Sequence, residues 1–248
     1  MTEIKLFDKP QFHDAEFYSG LGLADHINQR GHRERLLLTL FEVGRLIIKE
    51  GVKTIADWGA GNGGLLSEVK KLFPAIVSFG YDLLPANVEH AREVLGVDVT
   101  LVDFTKDECA VGDLVIVSEV LEHLVDPHGL LRKFYANEKV KWVIASSPAT
   151  ETVEAHWPYH LYIWDLEGYA VMFSGAGWGV FKHFAWGGGQ FVVAGRGEHE
   201  DPNLPPLAQR AKRLVADMPR RTGGRLPDTA DFLEAFRDEL SPKLDKRR

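Results

Sequence analysis

The stretch Thr54-Ile55-Ala56-Asp57-Trp58-Gly59-Ala60-Gly61-Asn62-Gly63-Gly64-Leu65 sits between a β-branched run and a helical pattern. Glycines at 59, 61 and 63 let the chain turn sharply there and let its backbone approach a ligand where a side chain would collide. A glycine-rich turn alone is a weak signal, so its surroundings decide the reading.

Working outward, short apolar runs alternate with helical patterns. Strands are expected at Thr54 to Trp58, Ile76 to Asp82, Val99 to Val102, Leu114 to Ser118 and Trp142 to Ser146, with helices at Leu65 to Leu72, Pro85 to Leu95 and Gly129 to Asn137. This alternation predicts an α/β fold, a doubly wound, mostly parallel seven-stranded sheet covered on both faces. Upstream, Leu36, Leu37, Leu40, Val43, Ile47 and Ile48 recur at three- and four-residue steps, which predicts a helix over Arg33 to Glu50 ended by Gly51. Downstream, Asp165 to Ala176 reads as a helix. Trp178 to Phe184 and Gln190 to Ala194 read as a hairpin around Trp186-Gly187-Gly188-Gly189, closing the sheet with an antiparallel edge. Pro202, Pro205 and Pro206 introduce two amphipathic helices, Leu207 to Met218 and Ala230 to Leu240. The expected division is a helical lid or cap over 1–50, a ligand-binding domain over 51–197 and a helical extension over 198–248.

Thirty-six acidic against 29 basic residues give a formal charge of -7, so the chain has no general attraction for a polyanion. A small-molecule acceptor is the expected partner, nucleic acid is disfavoured, and the C-terminal helices could mediate a homodimer. The lone cysteine, Cys109, excludes an internal disulfide framework. With no apolar stretch near the roughly 20 residues of a membrane span, the expectation is a cytoplasmic protein.

Three acids fall at strand ends: Asp57, Asp82 and Asp103, the last followed by Phe104. Ligands in such sheets gather outside the carboxyl ends of the strands, so all three should converge on one crevice. There Asp57 could hold an ammonium group, Asp82 could reach ribose hydroxyls, and Asp103 with Phe104 could meet an adenine.

These blocks together resemble the class I S-adenosylmethionine-dependent methyltransferases. D-W-G-A-G-N-G-G is similar to their cofactor loop, and Glu119-Val120-Leu121-Glu122-His123-Leu124 resembles the block after strand four in the small-molecule and lipid branches. The likeness covers residues 54–146. It implies S-adenosylmethionine as cofactor and S-adenosylhomocysteine as product, bound by Asp57, Gly59, Ala60, Gly61, Gly63, Asp82, Leu83, Asp103, Phe104 and Glu119. It also implies in-line transfer to an oxygen or nitrogen of a small or medium-sized metabolite. Base candidates are His123, His156, Tyr159 and His160, each with a plain reading as an orienting or pocket-lining residue.

Two alternatives stand beside it. Glu119, Glu122, His123 and His160 also resemble the metal set of the small-RNA 3′-end 2′-O-methyltransferases, which implies magnesium or manganese between two ribose hydroxyls. The principal reading assigns no metal. A non-catalytic cofactor-binding protein would keep the same glycine-rich loop. Base methylation of DNA is disfavoured, because Ser146-Ser147-Pro148-Ala149 lacks the second proline and the aromatic residue of an amine-gripping motif.

Overall fold

The computed structural model describes residues 30–152, 157, 159–197 and 231. The lead-in before residue 30, His156 and the two C-terminal helices expected from the sequence lie outside the described residues.

The chain opens with α1 (Arg30–Glu50) and then alternates β1 (Thr54–Trp58), α2 (Gly64–Leu72), β2 (Val77–Asp82), α3 (Pro85–Glu93) and β3 (Val99–Leu101). Next come β4 (Leu114–Ser118), a single 3-10 turn (Leu121–His123), α4 (Pro127–Ala136) and β5 (Trp142–Pro148). Last are α5 (Leu166–Gly175), β6 (Gly179–Trp186) and β7 (Gly189–Gly195). One seven-stranded sheet has the order β3-β2-β1-β4-β5-β7-β6. The strands β1 to β5 are parallel, and β7 runs antiparallel to both of its neighbours. This is the Rossmann-like doubly wound architecture expected from the alternation.

The hairpin joins the sheet in a way the sequence does not reveal. Its second strand, β7, pairs with β5, so the outermost strand is β6 and the reversed strand lies inside. The physical reason is burial: Phe191, Val192, Val193 and Ala194 are all buried, so β7 needs cover on both faces, while most of β6 is half-buried, as an edge tolerates.

Period-two alternation divides the core between the two faces. On one face Ile55, Ile116, Ile144, Phe191 and Val193 pack with Leu37, Leu38, Leu40, Phe41, Val43 and Leu46 of α1. On the other, Ala56, Trp58, Val115, Val117, Val143, Ala145 and Val192 pack with Leu131 and Phe134 of α4 and Tyr169 and Phe173 of α5. Thus α1 is part of the core along most of its length, while its first turns reach the ligand cleft through His32, Arg35, Leu36 and Thr39.

Element ends follow local chemistry. Helix α4 starts at Pro127, two residues before the expected Gly129, because Asp126 accepts from the Gly129 N–H at 2.7 Å and Pro127 lacks the N–H that a first helical turn leaves unused. Asp165 caps α5 through Gly168 in the same way. Among the described residues, no helix is long and apolar enough to cross a membrane.

Candidate functional site

The strand order reverses between β1 and β4, and a cleft of about 1330 Å³ opens there, at the carboxyl ends of the strands. Ligand pockets typically measure ~300–1,000 Å³, so this one has room for a cofactor and an acceptor together.

The glycine-rich loop forms its floor. Gly59, Gly61 and Gly63 have φ of 89°, 56° and 82°, the left-handed region that favours glycine. Their surroundings differ. A Cβ on Gly59 would sit 2.4 Å from the Val120 side chain, and one on Gly63 would meet Ala91 and Val97, so both positions serve close packing. A Cβ on Gly61 would meet nothing within 4 Å. Gly61 lines the cleft and presents open space beside bare backbone, the place for a ligand to approach. The structure leaves Gly63 outside the lining.

Asp82 ties this loop to the second strand. It accepts from the Gly61 N–H at 2.7 Å, the Leu84 N–H at 2.9 Å and the Asn87 amide at 3.2 Å, while still lining the cleft. Asp57 is almost fully buried at the end of β1. Burial first, and then the Asp82 charge, raises its pKa to about 7, against an opposing effect from Arg35. An acid in this state gains most from a cationic partner. Asp103 bonds Lys106 at 2.6 Å and Thr105 at 2.5 Å. Phe104 packs on Trp58 with ring centroids 5.2 Å apart. The structure therefore brings Asp57, Gly59, Ala60, Gly61, Asp82, Leu83, Asp103, Phe104 and Glu119 to one cleft.

A second cluster stands at the ends of β4 and β5. Glu119 adopts φ 56°, a strained conformation for a residue with a side chain. It is held by Ser146 Oγ at 2.9 Å and by Arg35 of α1 at 3.5 Å. Glu122 is fully buried, and neither carboxylate oxygen accepts a well-formed hydrogen bond. Burial and the Glu119 charge push its pKa well up; Arg35, the nearby Ser147 and its own backbone oppose this without cancelling it.

His123 and His160 stand beside it with ring centroids 4.7 Å apart, and one ligand atom each from Glu122, His123 and His160 falls within 4.8 Å of the others. His123 Nδ1 lies 3.1 Å from the Tyr159 carbonyl, and His160 Nδ1 lies 2.7 Å from Glu151 Oε2. Both partners accept only, so each neutral ring carries its proton on Nδ1 and its lone pair on Nε2. A buried carboxylate plus two histidines oriented through their far nitrogens could serve as the donor set and outer support of a metal ion. Of the four base candidates, His123 and His160 line the cleft, and Tyr159 meets His123 through its backbone.

Sequence reasoning missed Arg35, Asn62, Asn87 and Ser146. Arg35 and Asn87 read as ordinary helix-surface residues, since periodicity says nothing about which polar side chain reaches over a sheet end.

The family model for the methyltransferase domain matches residues 28–181. Among solved structures, the methyltransferase domain of bacterial CtHen1-C is similar at 18% identity with a TM-score of 0.54, over 67% of this chain and 99% of that one. PigF with S-adenosylhomocysteine is similar at 16% identity with a TM-score of 0.51, over 69% of this chain and 59% of that one. Human N-acetylserotonin methyltransferase in complex with S-adenosylmethionine matches at 21% identity with a TM-score of 0.48, over 69% of this chain and 58% of that one. The chain thus spans less than two thirds of the last two proteins. No curated protein matches by sequence. A glycine-rich loop, three strand-end acids around one cleft and a family match over more than half of its length make this chain a member of the methyltransferase domain family, a class I enzyme that uses S-adenosylmethionine.

Proposed function

We propose that this methyltransferase acts on an oxygen of a small or medium-sized hydroxylated metabolite, with a divalent metal ion held by Glu122, His123 and His160 and Glu119 close by. One observation carries the metal: the buried carboxylate of Glu122, without a well-formed hydrogen bond, beside two histidines whose Nδ1 atoms are already engaged. A buried carboxylate costs several kcal/mol unless something compensates it, and a cation does so directly. Two imidazoles with carboxylate favour manganese over magnesium.

The methyl group of S-adenosylmethionine is already electrophilic, so the protein's task is alignment and exclusion of water. Asp57, Asp82 and the Gly59 to Gly61 backbone bind the cofactor's polar groups, and Phe104 meets its base. A divalent ion on the Glu122 cluster would supply charge that lowers the pKa of an acceptor hydroxyl. Glu151 and the Tyr159 carbonyl keep His160 and His123 aimed, and the Ser146 hydroxyl fixes Glu119.

Electrostatics support a metabolite over RNA. The cleft is lined by Asp57, Asp82, Asp103, Glu119 and Glu122, and its described lysines and arginines are Arg35, Lys106 and Lys133. A polyanion would meet net repulsion.

A labelled-methyl screen on metabolite extract and on total RNA, each with and without chelator, tests this. Chelator-sensitive labelling of a metabolite is expected. Labelling of RNA would overturn the acceptor assignment, and labelling indifferent to chelator would overturn the metal.

A further inference from the structure

Each histidine of the Glu122 cluster is aimed by a partner behind it: the Tyr159 carbonyl faces His123 Nδ1, and Glu151 faces His160 Nδ1. Glu122 has no such well-formed bond, and both of its oxygens are buried. A carboxylate that ligates a metal is ordinarily hydrogen-bonded from outside as well, so a third donor is expected close to Glu122.

Tyr169 meets that expectation. It stands in the first turn of α5 with its side chain fully buried, and among the described residues its hydroxyl has no hydrogen-bond partner. A buried phenol usually finds one, because an O–H stripped of water and left bare is costly. Gln190 faces Ser147 across the β5–β7 ladder and donates to the carbonyls of Pro148 at 3.2 Å and Trp164 at 3.3 Å, which ties the start of α5 to the end of β5. Trp164 packs on Tyr169 with ring centroids 5.3 Å apart, and Leu121, next to Glu122, shares a core cluster with Tyr169. Burial holds the phenol's pKa well above its ordinary value, and the charges of Glu122 and Glu119 add to this, so it keeps its proton as a donor. Phenol and carboxylate are thus a buried donor and a buried acceptor that lack other well-formed bonds among the described residues.

We propose that Tyr169 is a positioning residue of the candidate metal centre: its hydroxyl donates to one Glu122 oxygen, directly or across a single water, and leaves the other oxygen for the cation. This role rests on the metal reading above and not on the identity of the acceptor.

Tyr169→Phe keeps the ring and removes only the hydroxyl. Titration calorimetry with manganese on the full chain should show affinity about 10- to 100-fold below wild type, the usual effect of losing an outer-shell partner. Binding of S-adenosylhomocysteine by the same variant should be unchanged, which reports an intact fold. Phe173→Leu loosens the packing on the Tyr169 ring, whose centroid is 5.3 Å away, without touching a polar group, and should leave manganese affinity as in wild type. A manganese loss in Phe173→Leu equal to that in Tyr169→Phe would overturn the role, as would a parallel loss of manganese and S-adenosylhomocysteine in Tyr169→Phe. Manganese bound equally by wild type and Tyr169→Phe removes the role and leaves the metal reading standing. If wild type itself binds no manganese, the metal reading fails and this role with it.

Discussion

The backbone N–H of Leu161 donates to the carbonyl of Glu122 at 2.7 Å. That bond joins the residue after His160 to the residue before His123, so the two segments that supply the candidate metal ligands are locked in register by the main chain. The side chains need only the outer partners that aim them. Glu151→Gln is therefore expected to weaken manganese binding about 10- to 100-fold, as lost outer-shell carboxylates typically do, with the thermal unfolding midpoint barely moved. Titration calorimetry with manganese checks this, and unchanged affinity would count against the centre.

Asp57 gives the enzyme a pH signature. Its folded pKa of about 7 lies above the ordinary 3.8, so the folded chain holds the extra proton between those values. The stability from the buried neutral acid is complete below the lower value and is lost as pH rises through the upper one, by at most about 4 kcal/mol. Asp57→Asn should flatten that fall in urea unfolding. The ionised form is the one that attracts an ammonium, so affinity for S-adenosylhomocysteine should rise with pH to a plateau above about 7 in wild type and stay level in the variant.

Gly61→Ala and Gly59→Ala separate approach from packing. At Gly61 the new methyl group meets no protein atom, so the expected cost is the left-handed backbone alone, about 1–2 kcal/mol, together with at least a roughly tenfold loss of cofactor affinity. At Gly59 the same change also overpacks against Val120, for about 2–4 kcal/mol in all, and Val120→Ala should restore part of it. Cofactor affinity retained in Gly61→Ala would show that the ligand does not approach there.

The other face of the sheet carries a buried ion cluster. Glu42 is 1% exposed and binds Lys182 Nζ at 2.5 and 2.7 Å and Arg45 Nε at 2.8 Å. Glu42→Gln strands two cations and should cost about 3–5 kcal/mol in denaturant unfolding, whereas Lys182→Met leaves the Glu42–Arg45 pair and should cost under about 1 kcal/mol. Burial lowers the Lys182 pKa to about 8 from 10.5, so between those values the unfolded chain binds the extra proton. Wild type should gain stability relative to Lys182→Met as pH rises through that window.

Much of the architecture was legible because strands buried on both faces write continuous apolar runs. Thr54–Trp58 and Leu114–Ser118 begin and end where the β-branched runs do. The insertion of β7 between β5 and β6 was not legible, since a hairpin sequence specifies its own pairing and not which strand meets the sheet. The strand-end acids could be placed because topology sends every strand end to one crevice. Arg35 could not, because its role depends on where a helix crosses that crevice. Nor could the difference between Gly61 and Gly63, which share a backbone conformation and differ only in what faces them.

The inserted strand also sets an order of assembly on the ribosome. Residues 54–148 contain every strand that bears the glycine-rich loop and the acids, so all of these are made before β7. The β5 edge then waits for β7, which arrives after α5 and β6 have been made. Until residue 189 has been synthesised, Val143, Ile144 and Ala145 lie on an unpaired apolar edge, the type of surface that nascent-chain chaperones shield and that drives edge-to-edge association when it is left bare.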